Sequence, residues 1–473
     1  MTTDLSVMPS VTASPVHADI LSRWDIQGPR YTSYPTADRF VEAFSANDAS
    51  QALQLRNITG GVRAQGLSLY LHIPFCESLC YYCACNKVIT KQKDRADIYL
   101  KYLEKELDLV AAQLEAGTAS VQQLHLGGGS PTFLDDAQLA QLMTMIRMRF
   151  QLDSLAECSI EVDPRTVSRQ RLQRLRQLGF NRLSFGVQDF DAKVQKAVHR
   201  VQPFEQVSRL MQDARELGFA SLNMDLIYGL PQQTIQSMQT TFDQVISLRP
   251  DRIALYGYAH LPQRFKPQRR IDEQLLPTAH EKSAMLRLAL EKLGAAGYVY
   301  IGMDHFALPQ DSLAIAKKQG RLHRNFQGYS TLPDCDLIGL GVSAISKVGA
   351  AYSQNVKSLD AYYDLLDQGR LPIERGLALS RDDLVRRAVI MALMCQGELS
   401  FESIELAYLI DFKNYFKAEL SELEQLQRDG LVEIEPEGLL VTEAGWYVVR
   451  AVAMVFDRYL QADRNRARYS RII

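Results

Sequence analysis

From residue 67 to residue 258 the chain repeats one rhythm: a short run of alternating or continuous apolar residues, a break of Gly, Pro or polar residues, then a longer run with helical spacing. Parallel strands joined by helices are the arrangement this rhythm permits. The strand-like runs are 67–73, 121–126, 157–162, 181–185, 222–228 and 251–258, and helix-like runs fall near 99–113, 137–150, 169–178, 204–217 and 235–248. Six successive strand-then-helix units, each strand ending in Gly, Pro or polar residues, predict an α/β fold of the partial TIM-like (β/α)6 kind rather than an open sheet. A helix near 277–296 follows, then two strand-like pieces at 298–303 and 336–340. From about 373 the pattern turns mainly helical, with a hairpin at 430–441 that looks like the wing of a winged helix.

With 473 residues, two domains are expected, because single cores seldom grow beyond about 250–300 residues. The expected division is an N-terminal arm and helix covering the active site (1–60), a barrel with accessory strands (61–350) and a small, mainly helical C-terminal domain (351–473). The turn-rich segment 28–36 (Gly-Pro-Arg-Tyr-Thr-Ser-Tyr-Pro-Thr) suits an ordered arm, whereas the Ser- and Thr-rich residues before it suit a mobile terminus. Lys and Arg number 53 against 55 Asp and Glu, so no global field favours nucleic acid or an anionic membrane, and neither is expected as a partner. Residues 1–23 lack a basic segment followed by an apolar run, and no later stretch offers the ~18–20 apolar residues of a membrane span. A cytoplasmic protein is expected.

Four of the seven cysteines crowd into ten positions, a pattern that favours metal over disulfides. Cys76-x3-Cys80-x2-Cys83 presents three thiols from one loop between a strand and a helix. A structural [4Fe–4S] cube takes four cysteines; three leave one iron open for a substrate or cofactor, and the amine and carboxylate of S-adenosylmethionine can chelate it. An electron passed to the sulfonium would then release methionine and a 5′-deoxyadenosyl radical. The competing reading is a zinc site with Cys85 as fourth ligand; zinc sites usually pair two separated knuckles, which this single loop does not provide. Cys85 is otherwise a residue beside the cluster, an alternative ligand or inert.

Period-two alternation puts Leu67, Leu69, Leu71 and Ile73 on one face of the first strand and Ser68, Tyr70 and His72 on the other, so Tyr70 points into the polar barrel interior. Gly127-Gly128-Gly129-Ser130 at the next strand end suits close approach to a ligand and offers N–H donors to a carboxylate. Glu161, Gln188 and Asp225 lie on or just beyond later strand ends, with groups suited to ribose hydroxyls or an ammonium.

The chain resembles the oxygen-independent coproporphyrinogen III oxidase (dehydrogenase) family of radical S-adenosylmethionine enzymes. The likeness runs from residue 28 to 473 through the segments 28–36, 70–76 with Cys80, Tyr82, Cys83, Cys85 and Asn86, 124–132, 184–189, 225–231, 258–262, 302–307, 323–329 and 341–346. It implies a radical S-adenosylmethionine barrel, and oxidative decarboxylation of the ring A and B propionates of coproporphyrinogen III to the vinyl groups of protoporphyrinogen IX. It further implies that Tyr70, Gly128, Glu161 and Ile345 contact the S-adenosylmethionine on the cluster. A second such molecule would meet Tyr82, Gly129, Ser130, Gln188, Arg200, Asp225 and Ala259; Ser130 stands where threonine is usual in the family. A reducing donor such as flavodoxin or ferredoxin, and a monomer, are expected. The substrate's four carboxylates need placed cations; Arg30 is the first candidate, with a turn-bonded surface arginine as the alternative. Arg464, Arg466, Arg468 and Arg471 are expected to form a solvated tail. Two rivals share the three-cysteine loop: a haem-binding, haem-transferring radical S-adenosylmethionine relative without decarboxylase activity, and a haem-directed methylase.

Overall fold

The computed structural model describes residues 20, 23–58, 66–115, 120–332 and 335–462. The expected mobile N-terminus and the arginine tail at 464–471 lie outside the described residues. The frame is one large sheet whose parallel strands are β1 (Leu67–Ile73), β2 (Ser120–Gly128), β3 (Gln151–Val162), β4 (Arg182–Gln188), β5 (Ser221–Tyr228) and β6 (Arg252–Gly257). Between them run α1 (Asp94–Ala111), α2 (Asp136–Arg149), α3 (Arg169–Gln177), α4 (Phe204–Glu216) and α5 (Ile235–Leu248), giving the expected succession of strand–helix units. Side chains at the starts of α2 and α5 explain where those helices begin: Asp135 with Gln138, and Thr234 with Ser237, form reciprocal caps on the first-turn amides.

Alternation along each strand separates two environments. Leu67, Leu69, Leu71 and Ile73 of β1 are fully buried on the outer face. The inner face is polar and continues from strand to strand: Ser68, Tyr70 and His72; His125; Ser159 and Glu161; Ser184 and Gln188; Asn223 and Asp225; Tyr256. Register holds this lining in rows, with Tyr70 opposite His125, His125 opposite Ser159, Glu161 opposite Ser184, and Gly186 opposite Asp225. Deeper, towards the strand N-termini, ion pairs between Glu157 and Arg182 (2.7 Å) and between Arg252 and Asp311 (2.9 Å) floor the barrel.

The sheet is larger than six strands. Beyond β6 come β7 (Val299–Gly302) and β8 (His305–Ala307), antiparallel, with β8 next to β6. The hairpin β9 (His323–Asn325) and β10 (Gly328–Ser330) stands apart as its own small sheet. At the other edge β11 (Asp336–Leu340) pairs parallel to β1, and β12 (Ile345–Val348), β13 (Ala351–Asn355) and β14 (Ile373–Ala378) extend the sheet antiparallel. Thus 351–355 and 373–378, which the expected boundary assigned to the C-terminal domain, build the large sheet instead. Their short, mixed segments carry no apolar alternation, and a side chain on Gly376 would collide with Phe44 and the Tyr352 carbonyl. The mainly helical stretch begins at Arg381, and its three-stranded sheet contains the expected hairpin, Val432–Glu435 with Gly438–Val441.

A buried carboxyl locks the turn after β11. Glu106 on α1 accepts from the Gly341 amide (2.7 Å), Tyr362 Oη (2.5 Å) and Asn355 Nδ2 (2.6 Å). Burial pushes it up to about 7 despite these donors. The N-terminal arm is ordered: Tyr31 and Tyr34 are fully buried, Tyr31 Oη donates to Asp457 (3.0 Å), and Val41 pairs with Gly376. It is pinned to C-terminal elements far along the chain.

Candidate active site at the barrel mouth

The cysteine loop leaves β1 and is zipped at its base, where Phe75–Cys76 pairs with Val88–Ile89: the Val88 amide donates to the Pro74 carbonyl (2.7 Å) and the Thr90 amide to Cys76 (2.9 Å). Its far side is held by the segment after β4, through the Tyr81 amide on the Val198 carbonyl (3.0 Å) and His199 on the Leu79 carbonyl (2.8 Å), with Tyr81 and His199 stacked. All cysteines here are free. Cations gather around the thiols. Arg200 Nη1 lies 3.5 Å and Arg165 Nη2 3.8 Å from Cys80 Sγ, and both guanidiniums also engage Asp163. Lys87 Nζ donates to the carbonyls of Cys83 and Cys85. A hydrogen bond from Cys85, with Lys87 nearby, brings the Cys83 thiol down to about 6, whereas burial pushes Cys76 up to about 12. Among the described residues no three His, Cys, Asp or Glu converge as they would on one metal ion. A cube spreads its ligands over separate irons, so three thiols from one loop, ringed by cations that offset its charge, fit it.

Tyr70 stacks on His125 (5.9 Å between ring centres), and its hydroxyl lies 3.2 Å from His72 Nδ1. His72 Nε2 faces the Asn86 carbonyl at 2.9 Å and so carries the proton; Nδ1 is the acceptor and Tyr70 donates to it. Burial lowers the pKa of His72, which favours this neutral form. Glu161 accepts from the Gly128 amide (3.1 Å) and lies 3.4 Å from His125. Asp225 accepts from Ser184 (2.8 Å) and Asn223 (2.8 Å), and burial, with Glu161 adding to it, holds it at about 6. Ile345 enters beside Tyr70: Gly339 is the register partner of Tyr70, and a side chain on Gly339 would strike the Ile345 backbone.

The glycine turn also serves the packing of the cysteine loop. Its amides are committed within the protein, Gly128 to Glu161, Gly129 to the Ile73 carbonyl (2.8 Å) and Ser130 to the Phe75 carbonyl (2.9 Å). A Cβ on Gly129 would sit 2.7 Å from the Pro74 carbonyl oxygen, and one on Gly128 2.7 Å from the His72 ring. The glycines let β2 pass the root of the cysteine loop, and Gly128 is the one of these three whose amide meets a carboxylate, that of Glu161.

Gln188 ends β4, and Tyr82, Arg200 and Ala259 sit on the loops around this mouth. Gln188 adopts a left-handed backbone (φ 71°), and Arg200 donates to the Gly186 carbonyl (2.6 Å). One residue not foreseen from the sequence joins two of them: the buried Gln268 donates to the carbonyls of both Tyr82 (3.1 Å) and Ala259 (3.2 Å) and accepts from Leu261 (2.6 Å). Arg165, Lys87 and His199 were likewise unforeseen; an isolated cation or histidine carries no sequence period. Arg30 bonds a carboxylate rather than turn carbonyls. It pairs with Asp304 (3.0 Å) and stacks over Tyr256 (5.6 Å) at the opposite rim.

A parallel partial barrel with a three-cysteine loop at the C-terminal end of its first strand defines a radical S-adenosylmethionine protein. Residues 70–245 match the Radical SAM superfamily and 379–448 the HemN C-terminal domain. The oxygen-independent coproporphyrinogen III oxidase of Pseudomonas aeruginosa is 50% identical over 96% of this chain and 98% of its own, and that of Escherichia coli K12 46% identical over 96% and 98%. The solved structure of coproporphyrinogen III oxidase (HemN) from Escherichia coli superposes with a TM-score of 0.87 at 47% identity, covering 91% of this chain and 97% of that one. The chain belongs to the family of oxygen-independent coproporphyrinogen III oxidases. Membership implies a [4Fe–4S] cluster and S-adenosylmethionine. No helix among the described residues is long and apolar enough to cross a membrane.

Proposed function

We propose that the chain converts the ring A and B propionates of coproporphyrinogen III to vinyl groups without oxygen, within haem biosynthesis. The observation that carries this is near-complete coverage of named relatives at 44–50% identity by a chain that presents Cys76, Cys80 and Cys83 together at a barrel mouth. When bound, the cluster and S-adenosylmethionine supply the electron and the 5′-deoxyadenosyl radical that takes hydrogen from a propionate. The protein's part is to hold and orient. The three cysteines ligate three irons and leave the fourth open, with Arg165 and Arg200 offsetting the accumulated negative charge. Cys85 acts beside the cluster, by its hydrogen bond to Cys83. Tyr70, Gly128, Glu161 and Ile345 form the wall against the first S-adenosylmethionine. Tyr82, Gly129, Ser130, Gln188, Arg200, Asp225 and Ala259 surround a second. Arg30, carried by the arm to the opposite rim, meets a substrate carboxylate. A low-potential donor of the flavodoxin or ferredoxin kind feeds a cytoplasmic monomer.

The test is anaerobic reconstitution with iron and sulfide, then incubation with coproporphyrinogen III, S-adenosylmethionine and reductant, followed by mass spectrometry. Loss of two CO₂ per substrate supports the reading. A gained methyl group, or a stable haem complex with no product, rejects it. The haem-transfer alternative is not favoured, because the relatives that cover this chain end to end are named oxidases.

A further inference from the structure

The rim opposite the cysteine loop carries a guanidinium whose hydrogen bonding is incomplete. Arg324, on β9, is 6% exposed, and its Nε and Nη1 find no hydrogen-bond partner among the described residues. Buried donors in folded proteins are almost always satisfied, and a buried charge without partners opposes folding. The surroundings place Arg324 at the mouth. Its guanidinium lies 4.7 Å from the Tyr329 ring centre; Tyr329 packs edge-on against His305, and His305 edge-on against Tyr256. Tyr256 is the β6 member of the polar lining, two residues beyond Ala254, the register partner of Asp225 on β5; it lies near enough to feel the Asp225 charge, and Arg30 covers its ring.

Charges of both signs gather there. Arg30 pairs with Asp304, held on a turn where Met303 and Asp304 both take left-handed backbone (φ 39° and 72°), and Asp225 and Asp25 lie near the same wall. The 2% exposed Arg450 lies close enough to both arginines to be depressed to about 10, by burial first and then by Arg30. His305 is held neutral, pushed down to about 4 by burial and by Arg324. Asp304 answers Arg30 and leaves Arg324 without a carboxylate.

We propose that Arg324, flanked by Arg30 and Arg450, receives a propionate carboxylate of the tetrapyrrole substrate against the Tyr256 wall of the barrel mouth. This rests on the decarboxylase reading for the identity of the ligand, and on the unpaired donors for the site. The anion completes a charge-assisted hydrogen-bonding set that the folded chain leaves open.

Coproporphyrin III, the fluorescent oxidised tetracarboxylate, and its tetramethyl ester are the probes, titrated against the protein by fluorescence quenching. Arg324→Met is expected to weaken binding of the acid about 10- to 100-fold, to leave the ester nearly unchanged, and to raise the melting temperature of the ligand-free protein. Arg324→Lys should recover part of the acid preference. Equal weakening of acid and ester, or a lowered melting temperature in Arg324→Met with the acid preference intact, overturns the proposal in favour of a structural arginine. If the wild type prefers the acid and loses that preference in Arg324→Met, yet forms no vinyl product, the decarboxylase reading falls and the carboxylate site stands. If the wild type forms product and Arg324→Met binds the acid as tightly, the site falls and the reading stands.

Discussion

The two rims of the barrel mouth solve opposite electrostatic problems. At the cysteine rim the protein supplies sulfur ligands that become negative on binding metal, and it has cations already in place: Arg165 and Arg200 touch Cys80 while both also engage Asp163. At the opposite rim Arg30, Arg324 and Arg450 gather, Asp304 pairs with Arg30 at 3.0 Å, and two donors of Arg324 have no hydrogen-bond partner among the described residues. The difference teaches where the ligand's charge lies. On the proposed reading, the first rim offsets a cofactor's charge from within the chain, and the second completes its hydrogen bonding with an anion from outside.

The largest expected effect breaks the cysteine rim. Cys80→Ser should lose the iron of reconstituted protein and all product, whereas Cys85→Ser should keep its iron, as read by iron and sulfide analysis and visible absorbance. Equal loss in both would make Cys85 a ligand and bring the zinc-like tetrathiolate reading back.

A middle-sized effect concerns the frame behind that rim. Glu106 has a folded value of about 7, above its ordinary 4.5. The folded state therefore holds the proton more tightly, so the carboxyl's contribution to stability is full below pH 4.5 and is lost as pH rises towards 7. Between those limits the loss amounts to about 3 kcal/mol at most. Denaturation at pH 5 and pH 8 should show a larger drop for the wild type than for Glu106→Gln. Parallel pH profiles would remove Glu106 as the titrating group.

The smallest effect sharpens the contact between rim and cofactor. Tyr70→Phe keeps the stacking on His125 and deletes one donor to His72, a change worth about 0.5–1.5 kcal/mol. S-adenosylmethionine binding to reconstituted protein should weaken about 2- to 10-fold. An unchanged Kd would take the hydroxyl out of the binding wall.

Much of this was legible in the chain. The six barrel strands declared themselves because each has one apolar face against helices and one polar face inward, which forces period-two alternation. The pairing of Asp336–Leu340 with Leu67–Ile73 was not legible, since nothing in a short apolar run names a partner so far away in sequence. The edge strand Ile373–Ala378, with mixed burial, reads as the start of the helical stretch for the same reason. The glycine turn was legible as a place of close approach, but not what approaches it. Its glycines are there for the passage of neighbouring backbone, which only packing reveals.

The sequence alone determined the barrel and the three-thiol loop, because alternation and ligand spacing are local, set by the geometry of one strand and one turn. The tertiary structure decided which cations surround those thiols, that Gln268 ties Tyr82 to Ala259, and that Arg30 and Arg324 share a rim with Asp304. Each of these unites segments distant in the chain through charge and hydrogen bonding, and such interactions act through space at short range and leave no period along the backbone.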